Sequence, residues 1–366
     1  MRPVHVVAAQ LSPTNGMERA ALELLRNLRT AGVSTSATVL SGSVPTEVLG
    51  CGVRSLHVAR RTTRLAEAVP DLRRSLRRLP KGTVVVAAGA WAAAPTALAL
   101  CRSGRQYVNW EHSLLPARIG SDRRACLLAR VLRLPGCRPG RHVAVSDGVA
   151  HTLREFFPDS PVEVIPNYTA MSQVPPPRRR RRVGPVRLVC VGSLNKFKNQ
   201  VDAIRALAML PDHYHLTLAG DGPLEGTLRA EIARLGLSSR VMMLGRVPSV
   251  DSVLDGSDVM VHPSIVETFG YSLLEAAEHA VPVVAYDVQA LDEMVPALVP
   301  GRLVPERTPE ALARAVLQVT VGGVLSHADV DRSWLRRREV LAPDRITDLW
   351  IRSVLADGPA DGPADG

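Results

Sequence analysis

Glu267-Thr-Phe269-Gly270-Tyr271-Ser-Leu-Leu-Glu275 sets two carboxylates eight positions apart around a glycine. Apolar spacing after Gly270 is that of a helix, so the glycine opens it. The first amides of a helix lack partners within it, and its dipole favours negative charge at that end, which suits a diphosphate. Glu267 falls in the loop before the helix and Glu275 about a turn and a half inside it. Such a pair can flank a ligand, one carboxylate at each end. Two ordinary solvated carboxylates meet the same spacing, so the neighbouring segments must decide.

A second segment, Val191-Gly192-Ser193-Leu194-Asn-Lys196-Phe-Lys198-Asn199, runs from an apolar strand into a glycine loop with lysines. That arrangement suits phosphate oxygens, although it also serves as a plain structural loop. The chain holds 42 Arg and 3 Lys, and two of those lysines stand in this loop. A compact point charge kept where arginine otherwise prevails is a small hint of a specific task. A third segment, Leu218-Ala-Gly220-Asp-Gly222-Pro223, is a tight turn capping a helix, followed by Leu244-Gly245-Arg246-Val247-Pro248. Nearer the start, Ser12-Pro-Thr-Asn15-Gly16-Met17 is a loop opening a helix. Trp110-Glu111-His112-Ser113 ends a strand, where a lone histidine is more often structural than functional.

The elements that must position these residues alternate. Residues 4–9, 84–88, 106–109, 142–145 and 162–165 read as short apolar strands, and 17–31, 60–79 and 92–101 have helical spacing. At 171–185 the composition changes to three prolines, five arginines and Gly184-Pro185, a linker that neither packs nor folds. A second alternation follows, with strands at 186–191, 215–219, 241–244, 259–262 and 283–286 and helices at 201–209, 224–235, 271–279 and 309–319. The reading is α/β, with two Rossmann-like parallel-sheet domains, 1–170 and 186–342, facing across a cleft. A helix at 343–355 crosses back to the first domain, and 356–366 is a disordered tail.

Taken in order, these segments resemble the family 4 glycosyltransferases of the GT-B fold, whose glutamate pair brackets a Phe-Gly in the same way. Asp258-Val-Met-Val-His-Pro-Ser264 resembles their strand and Pro-Ser turn, Gly220-Asp-Gly-Pro223 a family hallmark, and Gly192-Ser193-Leu194 with Lys198 their Gly-Arg-Leu…Lys-Gly loop. Ser193 stands where an arginine is usual, and Lys196 is a candidate replacement cation. Val145-Ser146-Asp147 and Val164-Ile-Pro-Asn167-Tyr168 match two further landmarks. The resemblance implies retaining transfer of a sugar from a UDP- or GDP-linked donor to an acceptor hydroxyl, with no metal or other cofactor. It implies His112 and Glu267 in the catalytic centre, orienting the sugar. It places Gly16, Ser193, Lys198, Phe269, Gly270 and Tyr271 around the donor, Arg246 and Val247 at the base, and Glu275 on the ribose.

Charge divides unevenly. Residues 1–170 carry a net +12 and residues 171–366 a net −2. The basic half predicts an anionic or lipid-linked acceptor, and residues 60–79, from Arg60 to Leu79, could rest on an anionic membrane. A surface helix in an arginine-rich chain explains them slightly better. At 4% aromatic residues the chain lacks the stacking platforms of a nucleic-acid binder. Cys51, Cys101, Cys126, Cys137 and Cys190 show no paired spacing, which points to reduced thiols and a cytoplasmic protein. No apolar run approaches a membrane span. Rival readings are a natural-product glycosyltransferase with a small soluble acceptor, a sugar-nucleotide 2-epimerase of the same architecture, and a basic membrane or nucleic-acid binding module.

Overall fold

Runs such as Val4–Ala8 and Val84–Ala88 are apolar throughout, and such runs belong to parallel strands covered on both faces. A computed structural model describes residues 1–12, 16–41, 54–55, 67–114, 128–169, 171–176, 184–322 and 326–356. The chain forms two compact units, Met1–Tyr168 with Leu341–Gly366, and Thr169–Val340.

In the first unit the strands are β1 (Val4–Ala8), β2 (Thr35–Val39), β3 (Arg54–Ser55), β4 (Val84–Ala88), β5 (Tyr107–Glu111), β6 (Arg141–Ala144) and β7 (Val162–Val164). They form a wholly parallel sheet ordered β3-β2-β1-β4-β5-β6-β7. The winding reverses between β1 and β4, where Val4 to Ala8 lie in register with Val84 to Ala88. Helices α1 (Gly16–Thr30), α2 (Val69–Arg77), α3 (Ala90–Leu100) and α4 (Asp147–Phe156) connect the strands. Ser146 caps α4, its Oγ accepting from Val149 N at 3.3 Å.

Helix α2 is shorter than the expected 60–79, of which residues 60–66 lie outside the described residues. Its apolar face, Leu72 and Leu76, is fully buried, and the helix packs on α3. Arg73 turns inward, Nε and Nη2 donating to the carbonyls of Ala99 (3.1 Å) and Leu98 (2.7 Å). The face that a membrane would take is therefore core.

The second unit repeats the plan. Strands β8 (Val186–Val191), β9 (Tyr214–Ala219), β10 (Val241–Gly245), β11 (Val259–His262), β12 (Val283–Tyr286) and β13 (Gly301–Val304) form a parallel sheet ordered β10-β9-β8-β11-β12-β13. Its helices are α5 (Gln200–Ala208), α6 (Glu225–Arg234), α7 (Asp251–Asp255), α8 (Tyr271–Glu278), α9 (Pro309–Gly322) and α10 (His327–Leu341). Here the winding reverses between β8 and β11. The start of the expected linker is tied down: Ser172 N donates to Glu278 Oε2 at 2.8 Å, and Arg338 Nη1 to the Gln173 carbonyl at 2.9 Å. Residues 177–183, with the arginine run, lie outside the described residues.

After α10 the chain rejoins the first unit as α11 (Pro343–Trp350) and a π-helical turn, Ile351–Leu355. Trp350 is wholly buried, edge-on to Trp110 with ring centroids 5.2 Å apart. Thr347 Oγ1 meets the Tyr168 hydroxyl at 3.3 Å, and Arg141 Nη1 donates to the Ser353 carbonyl. Among the described residues no helix is long and apolar enough to cross a membrane.

Candidate functional site

Ligands of open parallel sheets bind beyond the carboxyl ends of the strands, where the winding reverses. In the second unit the loops there are the one leaving β8, with Lys198, and the one leaving β11, with Glu267. The structure brings these two side chains together: Lys198 Nζ donates to Glu267 Oε2 at 2.5 Å. The same oxygen accepts from His262 Nε2 at 3.1 Å. Glu267 Oε1 accepts from the amides of Thr268 (3.0 Å) and Gly270 (3.3 Å). One carboxylate thus joins the lysine loop, the end of β11 and the start of α8. At the cap of α8, the Gly270 N–H finds its partner in Glu267, outside the helix.

These contacts set the charge states. Burial alone would raise the Glu267 carboxyl, but the Lys198 ammonium and the His262 hydrogen bond outweigh it and hold the group well below its ordinary value. Burial lowers the His262 imidazole, with Lys198 adding to the effect and Glu267 opposing it. The ring is therefore neutral and carries its proton on Nε2, because a carboxylate can only accept. With four donors around it, Glu267 is a fixed anion rather than a base with free lone pairs. His262 was not among the residues expected here. Its signal is a polar residue ending the buried run Val259–His262.

The lysine loop is built against neighbouring backbone. Gly220 and Gly222 have φ near +150° and +157°, and a Cβ at either would stand 2.0 Å from the Gly192 carbonyl oxygen or 2.5 Å from that of Leu194. The close approach lets Leu194 N donate to the Asp221 carbonyl (2.8 Å) and Leu224 N to the Leu194 carbonyl (3.1 Å). Gln200 braces the other side, Nε2 donating to the Ser193 carbonyl at 3.0 Å. The Gly-Asp-Gly-Pro turn is thus the backing of the lysine loop. A Cβ at Gly192 would meet the Lys198 stem, its Cε 3.5 Å away, at ordinary van der Waals distance.

The other expected residues of this unit fall around the same edge. Ser193 is exposed, and Lys196 lies over the Phe197 ring, Nζ 4.9 Å from its centroid. Gly270 caps α8 with φ +69°, and Phe269 and Tyr271 meet edge-on, centroids 5.0 Å apart. Glu275 is half-buried on α8. Exposed Arg246 forms a two-pronged pair with Asp221, Nε and Nη2 at 3.0 and 3.1 Å from its oxygens; Val247 follows it, half-buried.

In the first unit, His112 follows β5, its ring 4.4 Å from that of Trp110. Glu111 Oε1 fixes the turn by accepting from His112 N, Ser113 N and Ser113 Oγ at 3.1, 3.0 and 2.6 Å. Gly16 is exposed at the start of α1, and residues 13–15 of its loop lie outside the described residues. Cys101, Cys137 and Cys190 are free thiols, while Cys51 and Cys126 lie outside the described residues. Among the described residues no group of three or more His, Cys, Asp or Glu could hold a metal ion.

Residues 177–325 match the family described as Glycosyl transferases group 1, and residues 14–169 match Glycosyltransferase Family 4. The chain is 29% identical to the 2-deoxystreptamine glucosyltransferase of Streptomyces kanamyceticus over 206 residues, 53% of this chain and 52% of that protein. It is 38% identical to the 2-deoxystreptamine N-acetyl-D-glucosaminyltransferase of Streptomyces fradiae over 100 residues, 27% of this chain and 24% of that protein. The chain thus spans about half the length of the first curated relative and about a quarter of the second. Among solved structures, Anabaena HepE in complex with UDP and glucose has a TM-score of 0.80 at 17% identity, covering 98% of this chain and 100% of that one. Sucrose-phosphate synthase from Thermosynechococcus elongatus has a TM-score of 0.81 at 16% identity, with coverage of 98% and 100%. Likeness at such identities speaks to the fold, which is GT-B. With two parallel sheets reversing at their first strands, and family matches over most of both units, the chain belongs to the family 4 glycosyltransferases.

Proposed function

We propose that the chain moves a glycosyl group from a nucleoside diphosphate sugar to an acceptor hydroxyl, the diphosphate lying at the carboxyl ends of β8 and β11. The observation that carries this reading is the chain of contacts from Lys198 Nζ through the Glu267 carboxylate to the Gly270 amide. It gathers a cation and a helix start where the winding reverses. In the reaction the bond from the anomeric carbon to the donor phosphate oxygen breaks, and a bond to the acceptor oxygen forms. The acceptor proton leaves with the departing phosphate oxygen. Lys198 and the amides at the start of α8 stabilise the charge that develops on the diphosphate. Retention at the anomeric carbon, independence of metal, the ribose contact of Glu275 and the sugar contact of His112 rest on the family resemblance. Uridine as the base draws support from UDP in the HepE complex.

The expected anionic or lipid-linked acceptor rested on the +12 of the first half. Among the described residues, several of those cations sit at the amino ends of the strands. Arg2 Nε donates to the Gly82 carbonyl (2.9 Å), and Arg105 Nη1 to those of Pro80 and Thr83 (3.2 and 3.3 Å), all just before β4. At the carboxyl ends of β5 and β6 stand Glu111 and Asp147. A second reading, a small soluble acceptor, draws support from the two Streptomyces relatives, both named for 2-deoxystreptamine. With α2's apolar face buried, membrane contact there would fall to its arginines alone, and we expect the protein to work in the cytoplasm.

Incubation with UDP- and GDP-sugars tests the reading. Sugar transfer to 2-deoxystreptamine or to a polyprenyl-diphosphate sugar, abolished by Lys198→Met, is the expected outcome and separates the two acceptors. A 2-epimer formed from donor alone, or transfer undiminished in the variant, overturns it.

A further inference from the structure

We propose that His262 is a positioning residue of the donor site. Its Nε2–H anchors the Glu267 carboxylate and so fixes where the Lys198 ammonium meets a diphosphate. The inference rests on the donor-site reading above and adds to it a residue that touches no substrate.

The ring is 1% exposed, at the last position of β11, where Met260 and Val259 pair with β8. His262 itself pairs with Ala285 of β12, and the ring is buried, so the imidazole is a rigid fixture. Lys198 is the opposite: a long stem in a loop, its ammonium placed by the acceptor it finds. That acceptor is Glu267 Oε2, the oxygen that also receives His262. The two amides hold the other oxygen, Oε1, and leave the carboxylate free to tilt about it. His262 removes that freedom.

The arrangement also divides negative charge. A diphosphate must compete with Glu267 for Lys198. Each hydrogen bond that Oε2 receives from elsewhere weakens its hold on the ammonium and makes the cation easier to share. Because the imidazole is neutral, it supplies this bond without adding a charge of its own. Loss of the Nε2–H would loosen the carboxylate and tighten its grip on Lys198, and both effects weaken diphosphate binding.

His262→Asn keeps a polar group but stops short of Oε2, whereas His262→Gln carries an N–H to about the place of Nε2. Titration calorimetry with UDP and GDP on the full chain, with thermal unfolding alongside, tests the proposal. For the nucleotide the parent binds, His262→Asn is expected to weaken affinity about tenfold and raise the donor KM equally, with a smaller change in kcat; losses of that order follow removal of the hydrogen-bond partners that orient metal ligands, and the same logic applies to an oriented carboxylate. His262→Gln should return to within about threefold. In a Glu267→Gln background the Asn substitution should weaken binding no further. A role in packing alone would lower the unfolding temperature of both variants and leave nucleotide affinity unchanged. Parental affinity in His262→Asn, or equal losses in the Asn and Gln variants, overturns the proposal while Lys198→Met still loses binding. If Lys198→Met binds like the parent, or the parent binds neither nucleotide, the donor-site reading itself is what fails.

Discussion

Replacing Lys198 by methionine keeps the stem over Gly192 and removes the cation from Glu267. At 2.5 Å and an effective dielectric of about 20, the attraction between the two charges is about 7 kcal/mol. Desolvation of both groups offsets much of it, and breaking such a buried pair from one side costs about 3–5 kcal/mol. Glu267 retains His262 and two amides, so the lower end applies, about 3 kcal/mol. For a unit of this size that is a fall of about 6–12 °C in Tm. Adding Glu267→Gln removes the stranded charge and should restore at least half of the loss, without restoring nucleotide binding. Stability and affinity therefore part company in the double variant. Its thermal unfolding and calorimetric titration with UDP and GDP would refute the reasoning if Lys198→Met melted with the parent, or if the double variant regained the nucleotide.

The pair also sets a pH dependence. A carboxyl held below its ordinary 4.5 contributes stability that is complete above that value and drains away as pH falls through the folded one. The gap between parent and Lys198→Met should thus be widest near neutrality, begin to narrow as pH falls past 4.5 and keep shrinking towards the lower folded value in acid-titration melts.

Three further outcomes follow from the geometry. Gly220→Ala drives a Cβ into the Gly192 carbonyl and should cost roughly 3 kcal/mol in denaturant unfolding while weakening nucleotide binding, whereas parental values would show the turn to be incidental. Burial lowers His142 to about 4 from 6.5, so the folded state resists protonating it; stability should rise from about pH 4 to 6.5, by at most about 3 kcal/mol, and His142→Phe should flatten that slope. Arg337 is buried, pairs with Glu278 at 3.1 Å and donates to the carbonyls of Leu298 and Ala277 at 2.6 and 3.3 Å; Arg337→Ala should cost about 3–5 kcal/mol, and a smaller loss would mean that water replaces the guanidinium.

The central strands were legible because burial on both faces writes them as unbroken apolar runs; Val84–Ala88, Val259–His262 and Val283–Tyr286 were read to the residue. Edge elements were not. Strand β2, Thr35-Ser-Ala-Thr-Val39, is polar at three of five positions, Ser36 and Thr38 meeting the buried His5 ring at 2.8 and 2.9 Å, and the edge strand β3 has two residues. Helix α4 is marked in the sequence chiefly by its cap, Ser146 before Asp147. At the site, Lys198 and Glu267 could be chosen from type and spacing. That they bind each other could not, because the contact joins loops 69 residues apart through the pairing of β8 with β11. His262 was hidden for the same reason.

A count of cations does not locate them, and four arginines show why. The last carbonyls of a helix have no partner within it, and a planar fork of donors satisfies several at once. Arg73 closes the end of α3. Arg105 donates to the Leu79 and Pro80 carbonyls just past α2. Arg240 donates to those of Leu207, Leu210 and Pro211 at the end of α5, at 3.1, 3.0 and 2.9 Å. Arg337 reaches the last turn of α8. Each of these four caps comes from a distant part of the chain, and each cation faces a carbonyl dipole rather than a ligand. An arginine-rich chain can thus be strongly basic by count and yet direct little of that charge at a binding edge. Where β8 and β11 end, the cation paired with a buried carboxylate is a lysine, whose single ammonium on a flexible stem can change partners when a phosphate arrives. A capping guanidinium, fixed by several carbonyls at once, is poorly suited to that exchange.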